Sequence, residues 1–426
     1  MMSCRMKKVL SGLFAVCFLL PLTLFSAAGE YSGETSGTHI CVYNSEYSTF
    51  VYEKSADEKI APGPSAKIMT AVLALEYFAG DLERRVTVSS SALNNIYGST
   101  VIGLKQGETV RAIDLIYAVL VGGASDAAGT LACAIAGSTA SFAVKMTEKA
   151  HALGATSTVY QNPTGLDARG AVTTPRDTAI IAAYAVTVPR FAEICNTSAY
   201  KIPATDMSDA KTVYTRNMLI SGDPSNIYRY SESSGICVGY TDEAGYCAVS
   251  MIYGNYTYIC VAMGAADAGG AYTDVKNLLS FSKNNYEAKK ILDKSQIITE
   301  IPVELSADRS YVTVIPEKNL YAFLPKDTDI SAVKYETVIT DEKLTAPVLR
   351  GDGVGEIILS LDGREIGRCA LTAKFSVPRS GWLSFWAAVK NNLGILVVGV
   401  IIAAAVCAAF VFVKIHSFDK KAGLKK

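Results

Sequence analysis

Histidine is nearly absent from this chain. Only His39, His151 and His416 occur among 426 residues, which leaves almost no material for a histidine-based catalytic triad or a histidine-rich metal centre. A net charge is missing too, because 40 Lys and Arg balance 40 Asp and Glu. With no excess of positive charge to capture a polyanion, nucleic acid is excluded as a partner of the whole molecule. The ten cysteines include no C-x-x-C pair. Cys4 and Cys17 fall in an N-terminal leader and Cys407 in a C-terminal apolar run, so seven remain: Cys41, Cys133, Cys195, Cys237, Cys247, Cys260 and Cys369. An odd number without paired spacing argues against a disulfide framework and against a zinc site, and these residues are read as small core side chains. No cofactor is expected, and the chain has neither an internal repeat nor a low-complexity tract.

What is present is apolar. Half of the composition is hydrophobic, enough in a chain of this length for more than one core. Arg5, Lys7 and Lys8 precede an apolar run from Val9 to about Phe25 and the small residues Ser26-Ala27-Ala28, the order of a secretory signal peptide over residues 1–28. An uncleaved anchor is the alternative. No Cys follows at the place a lipoprotein signal requires. Near the other end, residues 393–413 form an uncharged stretch long enough to cross the hydrocarbon core as a helix. Lys414, Lys420, Lys421, Lys425 and Lys426 follow within residues 414–426, and basic residues stay on the cytoplasmic side, which puts the body outside. Trp382 and Trp386, with Phe385, lie in a juxtamembrane segment at 376–392, where aromatic rings rest at headgroup level. The expected location is a single-pass cell-membrane protein with an extracytoplasmic body.

Between these ends the pattern divides in two. Over residues 31–286, strand-like runs (Ile40 to Tyr43, Phe50 to Glu53, Tyr246 to Tyr253, Tyr256 to Met263) alternate with Ala-rich helical runs. The helical runs are Ala66 to Tyr77, Ala112 to Ile135 and Ser141 to Leu153. The last two strands flank Gly254-Asn255 as a hairpin would. This predicts a mixed α/β domain, an antiparallel sheet flanked by helices. Over residues 298–375 short alternating runs, punctuated by Asp352-Gly353 and Asp362-Gly363, predict a small β-rich domain.

Several separated motifs then coincide. Tyr52-Glu53-Lys54-Ser55-Ala56-Asp57-Glu58-Lys59, followed by Pro62 and Lys67-Ile68-Met69-Thr70, resembles the first catalytic region of the D-alanyl-D-alanine carboxypeptidases, the low-molecular-weight penicillin-binding serine peptidases. Gly107-Glu108, Asp114-Leu115, Asp126-Ala127-Ala128, Asn162-Pro163-Thr164-Gly165-Leu166-Asp167, Thr173-Thr174 and Gly239-Tyr240-Thr241 occur in the family's order. Ala346-Pro347 through Gly355 looks like its small C-terminal β domain. The resemblance runs from about Tyr31 to Ala373, and it implies the penicillin-binding-protein/β-lactamase-like fold and a link to peptidoglycan.

The reactive positions depart from the family. Its S-x-x-K places a Ser hydroxyl and a Lys amine on one face of a helix, so that the amine takes the proton. Here Lys67 is retained and position 64 is Pro, which has no nucleophile but suits a first helical turn. Ser65, two residues from Lys67, is about 200° around the helix and faces elsewhere. The family's S-x-N becomes Gly123-Ala124-Ser125, where Ser125 is read as a cap on the helix that follows. Its K-T-G becomes Cys237-Val238-Gly239, keeping only the Gly that lets a backbone come close. Cys237 is open as a thiol nucleophile or as an inert core residue. Because removing a serine hydrolase's nucleophile alone costs on the order of a millionfold, further losses in the same unit are hardly felt.

Three functions follow from this pattern. The first is a non-acylating pseudoenzyme that binds peptidoglycan stem peptide or an envelope protein; the second is an active carboxypeptidase using Ser65 or Cys237; the third is a structural adaptor at the membrane.

Overall fold

The computed structural model describes residues 31–422; the leader at 1–28 and the last four residues of the basic tail lie outside the described residues. Two units emerge, one of residues up to Glu287 together with Phe323–Thr328, the other of Ala288–Ala322 with the rest of the chain.

The first unit is built on one antiparallel sheet. Strands β1 (His39–Asn44) and β2 (Thr49–Lys54) open the unit, and β3 (Ser233–Thr241), β4 (Gly245–Ile252) and β5 (Tyr258–Ala265) close it. Their spatial order is β2-β1-β5-β4-β3, with every neighbour antiparallel. The central strands Ile40–Val42 and Tyr258–Met263 are buried at every residue. An unbroken apolar run of this kind is what a strand covered on both faces needs. Helix α5 (Pro175–Ala185) and helix α6 (Ala268–Asn285) both pack on β5.

Between the two halves of the sheet lie helices α1 (Ala66–Tyr77), α2 (Ala112–Leu120), α3 (Ser125–Ala136) and α4 (Thr139–Ala152). Helix α1 is buried along nearly its whole circumference, as befits a helix that is apolar all round. The helical run expected over Ala112 to Ile135 is in fact broken at residues 121–124. Gly123 sits at φ +68°, a left-handed conformation that glycine adopts without a steric cost, and the break starts a new helix at Ser125.

The second unit holds a six-stranded sheet. Its strands are β6 (Thr299–Glu304), β7 (Tyr311–Pro316), β8 (Lys334–Ile339), β9 (Leu344–Thr345), β10 (Gly353–Leu361) and β11 (Arg364–Ala373), in the order β8-β10-β11-β7-β6-β9. Val354, Ile357, Leu359 and Leu361 of β10 are buried while residues between them are less so, the period of a half-buried strand. Asp362 and Gly363 both take positive φ (50° and 78°) between β10 and β11, the turn that a two-residue hairpin prefers. One segment of the expected 298–375 stretch belongs instead to the first unit: Phe323 stacks on Tyr47 and Tyr286, and Lys326 N–H donates to Asn285 O at 2.8 Å. Aromatic burial, invisible to strand periodicity, draws it there.

Helix α7 (Gly381–Asn391) is capped by the Ser380 hydroxyl and exposes Trp382, Phe385 and Trp386. Helix α8 (Leu393–Ala422) follows. Within it Leu393–Phe412 has a mean hydropathy of 3.1 and is long and apolar enough to span a membrane.

Candidate active-site cleft

The chain enters α1 through a 3₁₀ turn, Gly63–Ser65. Pro64 fits this turn because the N–H it lacks has no helical partner there. Ser65 does not cap the helix and does not face the cleft: its hydroxyl donates to Pro62 O at 2.6 Å and the residue is 3% exposed. The angular argument from the sequence is thus matched by the geometry.

One turn later Lys67 is 7% exposed, and its ammonium donates to Thr164 O at 2.5 Å. That carbonyl is positioned by a loop folded around Asn162. The Asn162 Oδ1 accepts from Thr164 N, Thr164 Oγ1 and Gly165 N, and its amide donates to Leu166 O. At Gly165, φ is +73° and a Cβ would lie 1.8 Å from Gly63 O, so only glycine lets the loop press against the turn that carries Pro64. Burial pushes the Lys67 pKa down to about 8; Cys237 opposes the shift and the Arg216 charge adds to it.

Ser125 opens α3 and is 1% exposed, and its hydroxyl has no partner among the described residues. This corrects the expectation that it caps the helix: the cap position is Ala124, and no side chain caps there. Ser125 is already inside the first turn, where the residue lies on the cleft wall and its hydroxyl does not reach back to the backbone. Its neighbour Asp126 takes up nearby backbone donors, accepting from the N–H groups of Ile102, Gly103, Leu104 and Ala127 at 2.9–3.1 Å.

The third element lies on β3, one of the two edge strands of the sheet. The Cys237 thiol donates to Pro64 O at 3.0 Å. Burial holds its pKa up at about 11, with Lys67 pulling the other way, so the thiol stays protonated at neutral pH and is a poor nucleophile. Gly239 faces the Pro64 ring, and a Cβ at 239 would fall 2.7 Å from Pro64 Cγ. Val238 lines the cleft beside it.

The three sequence elements therefore converge on one cavity of about 370 Å³. Pro64, Lys67, Gly123, Ser125, Val238 and Gly239 line it, whereas Ser65 and Cys237 do not. Arg216 is on the wall, and sequence reasoning missed it because no spacing rule marks a single cation in a loop. Its Nη1 donates to Thr100 Oγ1 at 2.5 Å. Among the described residues no Asp or Glu lines the cavity, so two cations face it without a carboxylate. Among the described residues no three His, Cys, Asp or Glu side chains group closely enough to hold a metal ion. The cleft thus offers a low-pKa amine and hydrogen-bond donors, with no hydroxyl at the position three residues before that amine.

Known proteins agree on the scaffold. The family described as D-alanyl-D-alanine carboxypeptidase matches residues 28–267, and the C-terminal domain of penicillin-binding protein 5 matches residues 286–379. The chain belongs to the D-alanyl-D-alanine carboxypeptidase family. It is 26% identical over 347 residues to the D-alanyl-D-alanine carboxypeptidase DacF of Bacillus subtilis, covering 81% of this chain and 86% of that one. It is 28% identical over 348 residues to DacC of Escherichia coli, covering 78% and 81%. Penicillin-binding protein 5 from Haemophilus influenzae superposes with a TM-score of 0.65 at 24% identity, over 82% of this chain and 99% of that one. A peptidoglycan synthesis regulatory factor (PBP3) from Streptococcus pneumoniae superposes with a TM-score of 0.60 at 19% identity, over 81% of this chain and 100% of that one. These superpositions establish the fold.

Proposed function

We propose that this chain is a non-acylating member of its family, anchored in a membrane by α8 with its body outside, whose cleft binds peptidoglycan stem peptide. The observation that carries the reading is the proline at position 64. Its ring packs against Gly239 where the family places a reactive hydroxyl, while the two substitutes that the sequence offers are both occupied: the Ser65 hydroxyl by Pro62 O and the Cys237 thiol by Pro64 O. Lys67 keeps a lowered pKa but has no nucleophile to deprotonate, and an amine alone forms no acyl-serine. Anchoring is supported by the apolar stretch Leu393–Phe412, by the exposed tryptophans before it and by the lysines after it.

Intact-mass spectrometry of the full chain in detergent, after incubation with excess penicillin G, tests the reading. The expected result is no covalent adduct, together with retention of the chain on isolated peptidoglycan. A one-adduct shift mapped to Ser65 or Cys237 overturns it in favour of an active carboxypeptidase. Recovery of an envelope protein, with no retention on peptidoglycan, redirects the cleft or the β-rich unit to that partner.

A further inference from the structure

The cleft continues beyond Gly239 into a side groove of about 140 Å³. Tyr240, Tyr246 and Tyr272 line it, with Ala268 and Ala271 of α6 leaving room between them. The size is ring-like, close to the roughly 150 Å³ of an engineered apolar cavity that takes up benzene. Two of the tyrosine hydroxyls are already bound, Tyr240 to Asp242 Oδ1 at 2.8 Å and Tyr272 to Arg216 O at 3.0 Å. The rings are braced as well, Tyr240 against Tyr246 at 4.7 Å and Tyr272 against Tyr228 at 5.5 Å between centroids. Such fixed aromatic surfaces suit a planar apolar group better than a methyl.

Arg216 lines both the cleft and the groove. Among the described residues its one side-chain hydrogen bond runs to Thr100, and no Asp or Glu lines either space. A guanidinium with open N–H groups in an acid-free cleft selects a carboxylate, which it binds in two-pronged fashion. Resting on the reading of the cleft as a peptide site, we propose that its preferred ligand is a peptide whose C-terminal residue is aromatic. Arg216 holds the terminal carboxylate, and the adjoining ring enters the groove between Tyr240, Tyr246 and Tyr272. The ligand is held without covalent change.

Isothermal titration of the full chain in detergent with two peptides tests this, diacetyl-Lys-D-Ala-D-Ala and diacetyl-Lys-D-Ala-D-Phe. The aromatic peptide is expected to bind about tenfold tighter, the effect of partly burying one ring. Arg216→Gln should weaken both peptides by roughly 10- to 100-fold, as expected for loss of a charge-assisted pair. Ala268→Leu, which fills the groove, should abolish the preference. Equal affinities for the two peptides, or an Arg216→Gln variant that binds both as well as the parent, overturn the inference and leave the peptide-site reading standing. Failure of the parent chain to bind either peptide overturns that reading, and this inference with it.

Discussion

Two parts of the first unit, a few residues apart, have been treated very differently. Around the cleft, the polar groups that position backbone have their oxygens engaged: Asp126 holds four N–H groups and the half-buried Asn162 shapes the loop that carries Thr164. Asp177 accepts from Ser157 N and Thr158 Oγ1, and Arg176 is clamped by Glu53 and Asp57 over the Phe50 ring, with its Nη1 left unpartnered among the described residues. Inside the cleft, Ser125 has an orphaned hydroxyl and Lys67 a single acceptor. The contrast teaches that the scaffold is held together by groups other than those at the reactive positions. Losing the reactive groups therefore leaves the fold in place, since buried framework bonds are the ones that are costly to break.

The sharpest way to break the contrast is to return a hydroxyl to the cleft. Pro64→Ser restores S-x-x-K with Lys67, and because a lost nucleophile costs on the order of a millionfold, the variant should label with fluorescent penicillin where the parent does not. Labelling should remain slow, since Gly123 and Cys237 still lack their family side chains; gel fluorescence against time reads both points.

A framework substitution should instead act on stability. Asp126→Ala removes the acceptor of the Ile102, Gly103 and Leu104 N–H groups, the last of them buried, and should lower the unfolding free energy by about 2–4 kcal/mol. Denaturant titration should show Ser125→Ala, by comparison, within about 1 kcal/mol of the parent, because that hydroxyl has no bond to lose.

Lys67 makes the contrast pH-dependent. Its folded pKa, near 8, is below the ordinary value of 10.5. Between those two values the unfolded chain carries a proton that the folded chain has released, so stability rises with pH across that window; below 8 both forms are protonated and the burial cost is borne in full. Relative to Lys67→Met, the parent chain should therefore gain about 3 kcal/mol between pH 7 and pH 10.5, read from paired unfolding curves.

The smallest effect tests the contact that replaced the nucleophile. Gly239→Ala drives a Cβ against Pro64 and should cost about 1–3 kcal/mol. Combining it with Pro64→Ala should recover about 1 kcal/mol, a coupling that only touching residues show.

Much of this was legible beforehand. Helix α1 spans the expected Ala66 to Tyr77, and the hairpin around Gly254-Asn255 joins β4 and β5, because local periodicity and turn residues state these elements directly. The break between α2 and α3 was not legible, since Ala-rich segments on both sides of Gly123 read as one helix. Nor was the placement of Phe323, which depends on Tyr47 and Tyr286, residues far away in sequence.

By itself the sequence determined the family, the mixed α/β fold, the apolar C-terminal stretch and the absence of a hydroxyl at position 64, because each is written in local pattern or residue identity. Only the tertiary structure decided that the Ser65 and Cys237 side chains are tied to carbonyls of the Pro62–Pro64 turn, that Ser125 is unpartnered, and that Arg216 faces the cleft near Lys67 with no acid between them. Whether a polar group is spent or available depends on which distant backbone atoms the fold brings within hydrogen-bond reach, and no spacing along the chain encodes that distance.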